Sequence, residues 1–336
     1  MSLDRVLGSA AAKKILAIAR RVSYDSAASL VRQGEPSKGA FIIERGTVEA
    51  RVQLPGGGSL AVAELRDGDM FGEMALVERG VCSASVLART PVEGWFVGRD
   101  DFRAMVASRD PAALEMQRAI TRVLADKLRA LNARVREHPA AEDRPLRDER
   151  SRRVEKEPSF AWRPFLPVLR FFEGFDDYEI EELIRPAGAF ELERGGGLFD
   201  PGDAADACYV VVRGAVEILS RGRDLERRVA LAGPGELVGY LAVLEGKPHA
   251  AAARVREKAC LLALPAADFL ALYHGDSAAA VSLQHAIHAS LLRSLARTNT
   301  QLTRLISAAR LRGAHEEGKA LEAARGSQIV DLVKEE

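Results

Sequence analysis

Leu30-Val31-Arg32-Gln33-Gly34-Glu35, then Phe41-Ile42-Ile43-Glu44-Arg45-Gly46-Thr47-Val48-Glu49, then Phe71-Gly72-Glu73-Met74-Ala75-Leu76: further along, the chain writes this run a second time. The second version reads Leu198-Phe199-Asp200-Pro201-Gly202-Asp203, Tyr209-Val210-Val211-Val212-Arg213-Gly214-Ala215-Val216-Glu217 and Val238-Gly239-Tyr240-Leu241-Ala242-Val243. Gly34 and Gly202 are 168 residues apart, as are Gly46 and Gly214, whereas Gly72/Gly239 and Phe102/Phe269 are 167 apart. One single-residue slip after Glu49 therefore separates two copies of one unit. A long-period repeat fixes the architecture before any local element is assigned.

The remaining sequence fits two copies. Val48, Ala50 and Val52 alternate with Glu49 and Arg51, the period of a strand with one buried face. Pro55-Gly56-Gly57-Gly58, Asp67-Gly68-Asp69 and Ala232-Gly233-Pro234-Gly235 read as turns, and Trp95–Val97 as a later strand. Asp110-Pro111 starts a helix, whose apolar stripe is Leu124, Leu128, Leu131 and Val135. A last helix is expected from Asp276 to a stop near Gly313, striped by Leu291, Leu295, Leu302 and Leu305 with Thr298 in the gap. This gives an α+β fold of two tandem antiparallel β-roll (jelly-roll-like) domains flanked by helices. Domain A covers residues 1–137, a charged linker 138–160, domain B 161–312 and a tail 313–336 with an apolar cluster at Ile329, Val330, Leu332 and Val333.

Composition excludes several classes. The 336 residues carry 48 basic and 48 acidic side chains, which argues against nucleic-acid binding through bulk positive charge. Cys82, Cys208 and Cys260 lack disulfide or zinc spacing and read as reduced thiols. No signal sequence or spanning apolar run is legible, so a soluble cytoplasmic protein is expected, with no membrane contact. No catalytic triad or phosphate-transfer motif appears, and an enzyme is not expected. His285 and His288 sit at helical spacing without a third ligand, so an ordinary helix surface and no metal site are expected. Arg20-Arg21-Val22-Ser23 has the form of a basic-directed kinase site but falls where the first strand should begin.

At Phe71-Gly72-Glu73-Met74-Ala75-Leu76 the chain resembles the cyclic-nucleotide-binding domain, the β-roll of kinase regulatory subunits, gated channels and catabolite-activator-type regulators. The resemblance covers about residues 5–137 and 165–310. It implies a phosphate cassette on a short helix at the F-G-E segment. There, amides of a helix start and a close-approaching glycine meet phosphate, the glutamate accepts from a ribose hydroxyl, and an arginine in a P-R-A-A setting pairs with the phosphate. In domain A the candidate ligand-binding residues are Phe71, Gly72, Glu73, Met74, Ala75, Arg79, Cys82 and Ser83, with Cys82 at the arginine position. In domain B they are Gly239, Tyr240, Leu241, His249 and Ala250, with Tyr240 at the glutamate position and His249 at the arginine position.

Neither copy has the family's arginine. Losing one member of a buried charge pair costs about 2–5 kcal/mol, or roughly 30- to several-thousand-fold in affinity. Both clefts are therefore expected to lack a fixed cation and to be degenerate. Arg79 could restore charge in domain A or lie in solvent; Cys82 could be a redox-sensitive thiol or a small buried side chain. His249 could bind phosphate when protonated or fill the arginine's space; Tyr240 could stack on a base or close an unused pocket. The expectation is a regulatory, non-enzymatic protein without a cofactor. It senses a cyclic nucleotide or other phosphate-bearing small molecule weakly or non-classically through domain A, or serves as a ligand-free scaffold for a protein partner. A homodimer through the last helix is a further expectation. A transcription regulator is less favoured, since too few residues follow Gly313 for a DNA-binding domain.

Overall fold

The computed structural model describes residues 9–53, 59–77, 80–137, 144–145, 153–221 and 225–332, with side chains described as far as residue 305. The first copy runs α1 (Ser9–Ala17), β1 (Arg20–Tyr24), β2 (Ser29–Val31), β3 (Gly39–Arg45), β4 (Val48–Gln53), β5 (Ser59–Leu65), β6 (Met70–Phe71), α2 (Met74–Val77), β7 (Ser85–Ala88), β8 (Val92–Gly98), α3 (Arg99–Ala107) and α4 (Pro111–Glu137). The linker adds β9 (Arg144–Pro145). The second copy runs α5 (Asp177–Ile184), β10 (Gly188–Leu192), β11 (Gly197–Phe199), β12 (Ala207–Arg221), β13 (Leu225–Ala232), β14 (Leu237–Val238), α6 (Tyr240–Glu245), β15 (Ala252–Pro265), α7 (Ala266–His274) and α8 (Ala278–Leu332). The offsets found in sequence carry one set of strand and helix starts onto the other. The slip falls in the hairpin after β4 and β12, whose turns lie outside the described residues, as do Pro55–Gly58.

Each copy is an antiparallel roll, and the sheets stay open rather than closing into a barrel. In domain A, β1-β8-β3-β6 and β2-β7-β4-β5 form two sheets. In domain B, β12 and β15 run unbroken through the positions where β3/β4 and β7/β8 are separate, which merges the strands into one seven-stranded sheet. Gly46 and Gly214 mark the same corner in each copy. Both have positive φ, and a Cβ there would lie 2.3 Å from the carbonyl oxygen of Pro91 or Lys258 respectively, so only glycine fits. The Arg20–Ser23 motif lies in β1, paired with β8.

Each roll encloses its own core. Phe41, Ile43, Val48 and Phe71 fill domain A; Phe190, Tyr209, Val211 and Leu261 fill domain B. A third core joins the copies and includes Ile120, Leu124 and Leu128 of α4 with Ile287, Leu291 and Leu295 of α8. Burial of each such side chain contributes about 1.5–3 kcal/mol. Helix α4 begins as the sequence implies, with Asp110 Oδ1 accepting from the Ala112 amide at 2.8 Å.

The long helices are parallel, and repeat-equivalent residues meet at their seam. Thr121 and His288, 167 positions apart, bring Oγ1 and Nε2 to 2.7 Å. Further along, Thr298 Oγ1 donates to Asn132 Oδ1 at 3.5 Å, one residue from equivalence. The two contacts keep α4 and α8 side by side in nearly the same register, with repeat-equivalent positions facing each other. His288 is thus a seam residue at 1% exposure, not the surface histidine implied by sequence. Helix α8 also continues beyond the expected stop at Gly313 to Leu332. The side chains of the apolar tail cluster lie outside the described residues. Leu291 and Leu295 are buried within the chain, so a homodimer through α8 would have to use other faces.

Burial and the neighbouring His285 push the His288 pKa down to about 3. Its ordinary value is near 6.5. Below that pH the unfolded chain takes up a proton that the folded chain refuses, so this stabilisation is present above about pH 6.5 and is lost as pH falls, at about 1.4 kcal/mol per unit. Melting followed by circular dichroism should show Tm falling between pH 7 and pH 5, with a shallower slope in His288→Gln.

Candidate ligand-binding site

Strand β6 delivers the chain to the cassette of domain A. Phe71 stacks on Phe41 with centroids 5.0 Å apart, anchoring the segment in the roll core. The backbone turns at Gly72, where φ is +75° and a Cβ would stand 2.8 Å from the Gly39 carbonyl oxygen. Helix α2 follows, and its Ala75 amide already donates to the Gly72 carbonyl at 3.0 Å. In domain B, Gly239 at φ +81° makes the corresponding turn.

The far end of each cassette shows that Cys82 and His249 occupy one structural position. The Gly34 amide donates to the Cys82 carbonyl at 2.9 Å, and the Cys82 amide to the Glu35 carbonyl at 2.8 Å. The Gly202 amide donates to the His249 carbonyl at 2.8 Å, and the His249 amide to the Asp203 carbonyl at 3.0 Å. Cys82 is half-buried rather than in the core, whereas Ser83 and Ala250 are exposed. Cys208 and Cys260 are buried, and burial raises the Cys260 thiol pKa to about 11. Arg79 lies outside the described residues.

Glu73 points to the helix behind the roll. It is 5% exposed, and Lys127 Nζ of α4 donates to its Oε1 at 2.5 Å. Its counterpart Tyr240 makes the analogous approach in domain B, buried beside Ser294, Arg293 and Arg297 of α8. Burial pushes the Tyr240 phenol pKa up. Lys127 and Ser294 are themselves 167 residues apart, so both cassettes lean on the same point of their long helices. Met74 and Leu241 pack half-buried against the core joining the domains. Two residues beyond Lys127, Arg129 Nε donates to Glu245 at the end of α6 at 2.5 Å. One helix thus carries a cation for each cassette.

His249 fills its surroundings. Its ring stacks on Phe199 at 3.6 Å between centroids and 5° between planes. A Cβ on Gly239 would come within 3.0 Å of His249 Cε1. Burial holds the imidazole pKa below its ordinary value against the opposing pull of Asp203 and Asp206, which favours the neutral form. The ring therefore occupies the cassette mouth without supplying the charge of an arginine.

One expectation needs correction. The domain B cleft, about 470 Å³, is lined by a linker guanidinium, Arg153, together with Phe199, Asp203, Asp206, Tyr209 and His249. A cation from outside the roll therefore does reach this cleft. It sits against Tyr209, whose hydroxyl accepts from Arg153 Nη1 at 3.0 Å, and Glu155 Oε1 accepts from Arg153 Nε at 2.6 Å. Sequence reading missed Lys127, Arg129 and Arg153. The cassette partners on α4 had a usable signal in the repeat equivalence of positions 127 and 294, but Arg153 had none, because the linker's path is set by tertiary contacts.

Comparison with known proteins identifies the family. The model of the cyclic nucleotide-binding domain matches residues 21–109 and 189–276, together more than half of the chain. The chain belongs to the cyclic nucleotide-binding domain family, with two such domains in tandem. It is 23% identical over 234 residues to a cAMP-dependent protein kinase regulatory subunit of Dictyostelium discoideum, covering 68% of this chain and 58% of that one. A second such subunit, from Aspergillus fumigatus, is 32% identical over 85 residues, covering 25% of this chain and 20% of its own length. The chain therefore spans less than two thirds of either relative. The solved regulatory domain of Toxoplasma gondii PKA with cAMP gives a TM-score of 0.31 at 18% identity, covering 80% of this chain and 86% of that one. No helix among the described residues is long and apolar enough to cross a membrane.

Among the described residues, Lys127 is the cation that meets the Glu73 carboxylate at the α2–α4 junction. Lys127→Met should destabilise the protein by about 1–3 kcal/mol, since the remaining charge loses its partner in a desolvated position. Urea unfolding measures the loss, and Glu73→Gln combined with Lys127→Met should recover part of it.

Proposed function

We propose that the chain is a non-enzymatic regulatory protein whose domain A senses a cyclic nucleotide, or a related phosphate-bearing small molecule, with weak affinity. The observation that carries this reading is the buried Glu73–Lys127 pair. The residue that the family uses for ribose is retained in domain A alone, and its charge partner stands on the helix that packs against the other domain. A ligand hydroxyl that engages Glu73 competes with Lys127, and α4 is then free to move relative to the roll. Binding becomes a shift between two positions of α4. Domain B has no carboxylate at this point, and His249 with Phe199 fills the cassette mouth.

Weak affinity is expected from Cys82 at the arginine position, a side chain that offers phosphate no guanidinium fork. A second reading, a ligand-independent scaffold for a protein partner, is favoured by one observation: Glu73 and Tyr240 both rest on the long helices that join the domains.

Cyclic AMP or cyclic GMP at high micromolar concentration should barely raise Tm of the unaltered chain, because stabilisation by linkage requires ligand well above Kd. A rise of several degrees would mean that another donor replaces the family's arginine. Cys82→Arg should increase affinity for the cyclic nucleotide by about 10-fold or more, read by calorimetry, since a charge-assisted pair is restored. No gain would leave the scaffold reading in place.

A further inference from the structure

The geometry points to domain B's cleft being a cation site, filled in cis by the guanidinium of Arg153, which straps the inter-domain linker onto the second roll. This concerns domain B alone and stands or falls separately from sensing by domain A.

The Arg153 guanidinium carbon lies 5.0 Å from the ring centroid of Phe190 and 5.4 Å from that of Tyr209. Both rings belong to the domain B core, so they present fixed faces to the cation. Nη1 donates to the Tyr209 hydroxyl at 3.0 Å and to the Leu198 carbonyl at 3.4 Å. The guanidinium thus has two aromatic faces and two hydrogen-bond acceptors on the cleft wall. Glu155 holds its Nε from the linker side.

The next linker residues continue the strap. Lys156 and Glu191 exchange backbone hydrogen bonds of 3.0 and 2.7 Å, so the linker adds a bridge to the edge of β10. Ser159 Oγ donates to Glu191 Oε1 at 2.9 Å. A segment connecting two domains is therefore fastened by backbone pairing on one side of Arg153's seat and by the cleft on the other.

The rest of the cleft has the charge that suits such an occupant. Asp200, Asp203 and Asp206 line it. Asp200 is neutralised by Arg221 at 2.7 Å; Asp203 Oδ2 accepts from the Asp200 amide at 2.7 Å, and among the described residues neither Asp203 nor Asp206 has an ion-pair partner. His249 is 5% exposed and makes no side-chain hydrogen bond among the described residues; it lines the same cavity and adds no positive charge in its neutral form. Carboxylates at these positions repel a cyclic phosphate and attract a cation. The family's ligand charge is inverted here, and the cation comes from the chain itself.

Agmatine, a guanidinium on a four-carbon stem, tests the assignment by chemical rescue in the full chain. Millimolar agmatine should raise Tm of Arg153→Ala by several degrees and leave the unaltered chain unmoved, while Arg153→Lys should melt close to the unaltered chain. Adding Asp203→Asn and Asp206→Asn to Arg153→Ala should weaken the rescue several-fold. If Arg153→Ala cannot be purified, Arg153→Ser, which leaves the same space open, takes its place with the same expectation. Equal agmatine shifts in both proteins, or none in either, would overturn the proposal. So would cyclic AMP stabilising the unaltered chain but not the Arg153 variant, because Arg153 would then be a phosphate ligand.

Discussion

Everything in the molecule is referred to the seam between the two long helices. Helices α4 and α8 lie parallel, and Ile120, Leu124, Ile287 and Leu291 close a core to which both domains contribute. Were that seam absent, each roll would still enclose its own small core, but the long helices on which Glu73 and Tyr240 rest would lose the partner that buries their apolar stripes. The seam also explains why α4 and α8 are apolar over stripes that a solitary domain has no reason to bury.

The two equivalent segments bury different groups. Domain A buries the Glu73 carboxylate, and domain B buries the Tyr240 phenol and stacks His249 on Phe199. A retained buried carboxylate is costly unless paired, and Lys127 provides the pair from α4. A tyrosine in the same place needs no such partner and becomes part of the packing. Arg129, reaching from α4 to Glu245 of the opposite cassette helix, ties the two solutions together.

Much of the fold was legible because it is written twice. The succession of short strands and closing helices, the pairing of Gly46 with Gly214 and the equivalence of Cys82 with His249 follow from the repeat, and the start of α4 follows from Asp110-Pro111. What was not legible depends on which surfaces meet. The leucine stripes announced a buried face without saying that each would be buried by the other, and His288 looked like a surface residue because periodicity does not show which helix will cover a given face. The stop expected at Gly313 rested on a single glycine, whose cost of about 1 kcal/mol within a helix is small against the length of α8. Arg153 lay in a stretch whose composition announces only solvent exposure, and its seat on Phe190 and Tyr209 depends on the route of the chain between domains.

The contact of Thr121 with His288 carries a consequence for how such a protein can diverge. Where two separate, identical chains pair about an axis, the residue on the axis faces itself, and any change arrives twice. An imidazole would confront an imidazole, and a hydroxyl a hydroxyl. Joining the halves covalently lifts that restriction: one side is free to become the donor and the other the acceptor. Fusion thereby turns a self-complementary surface into two separately mutable ones.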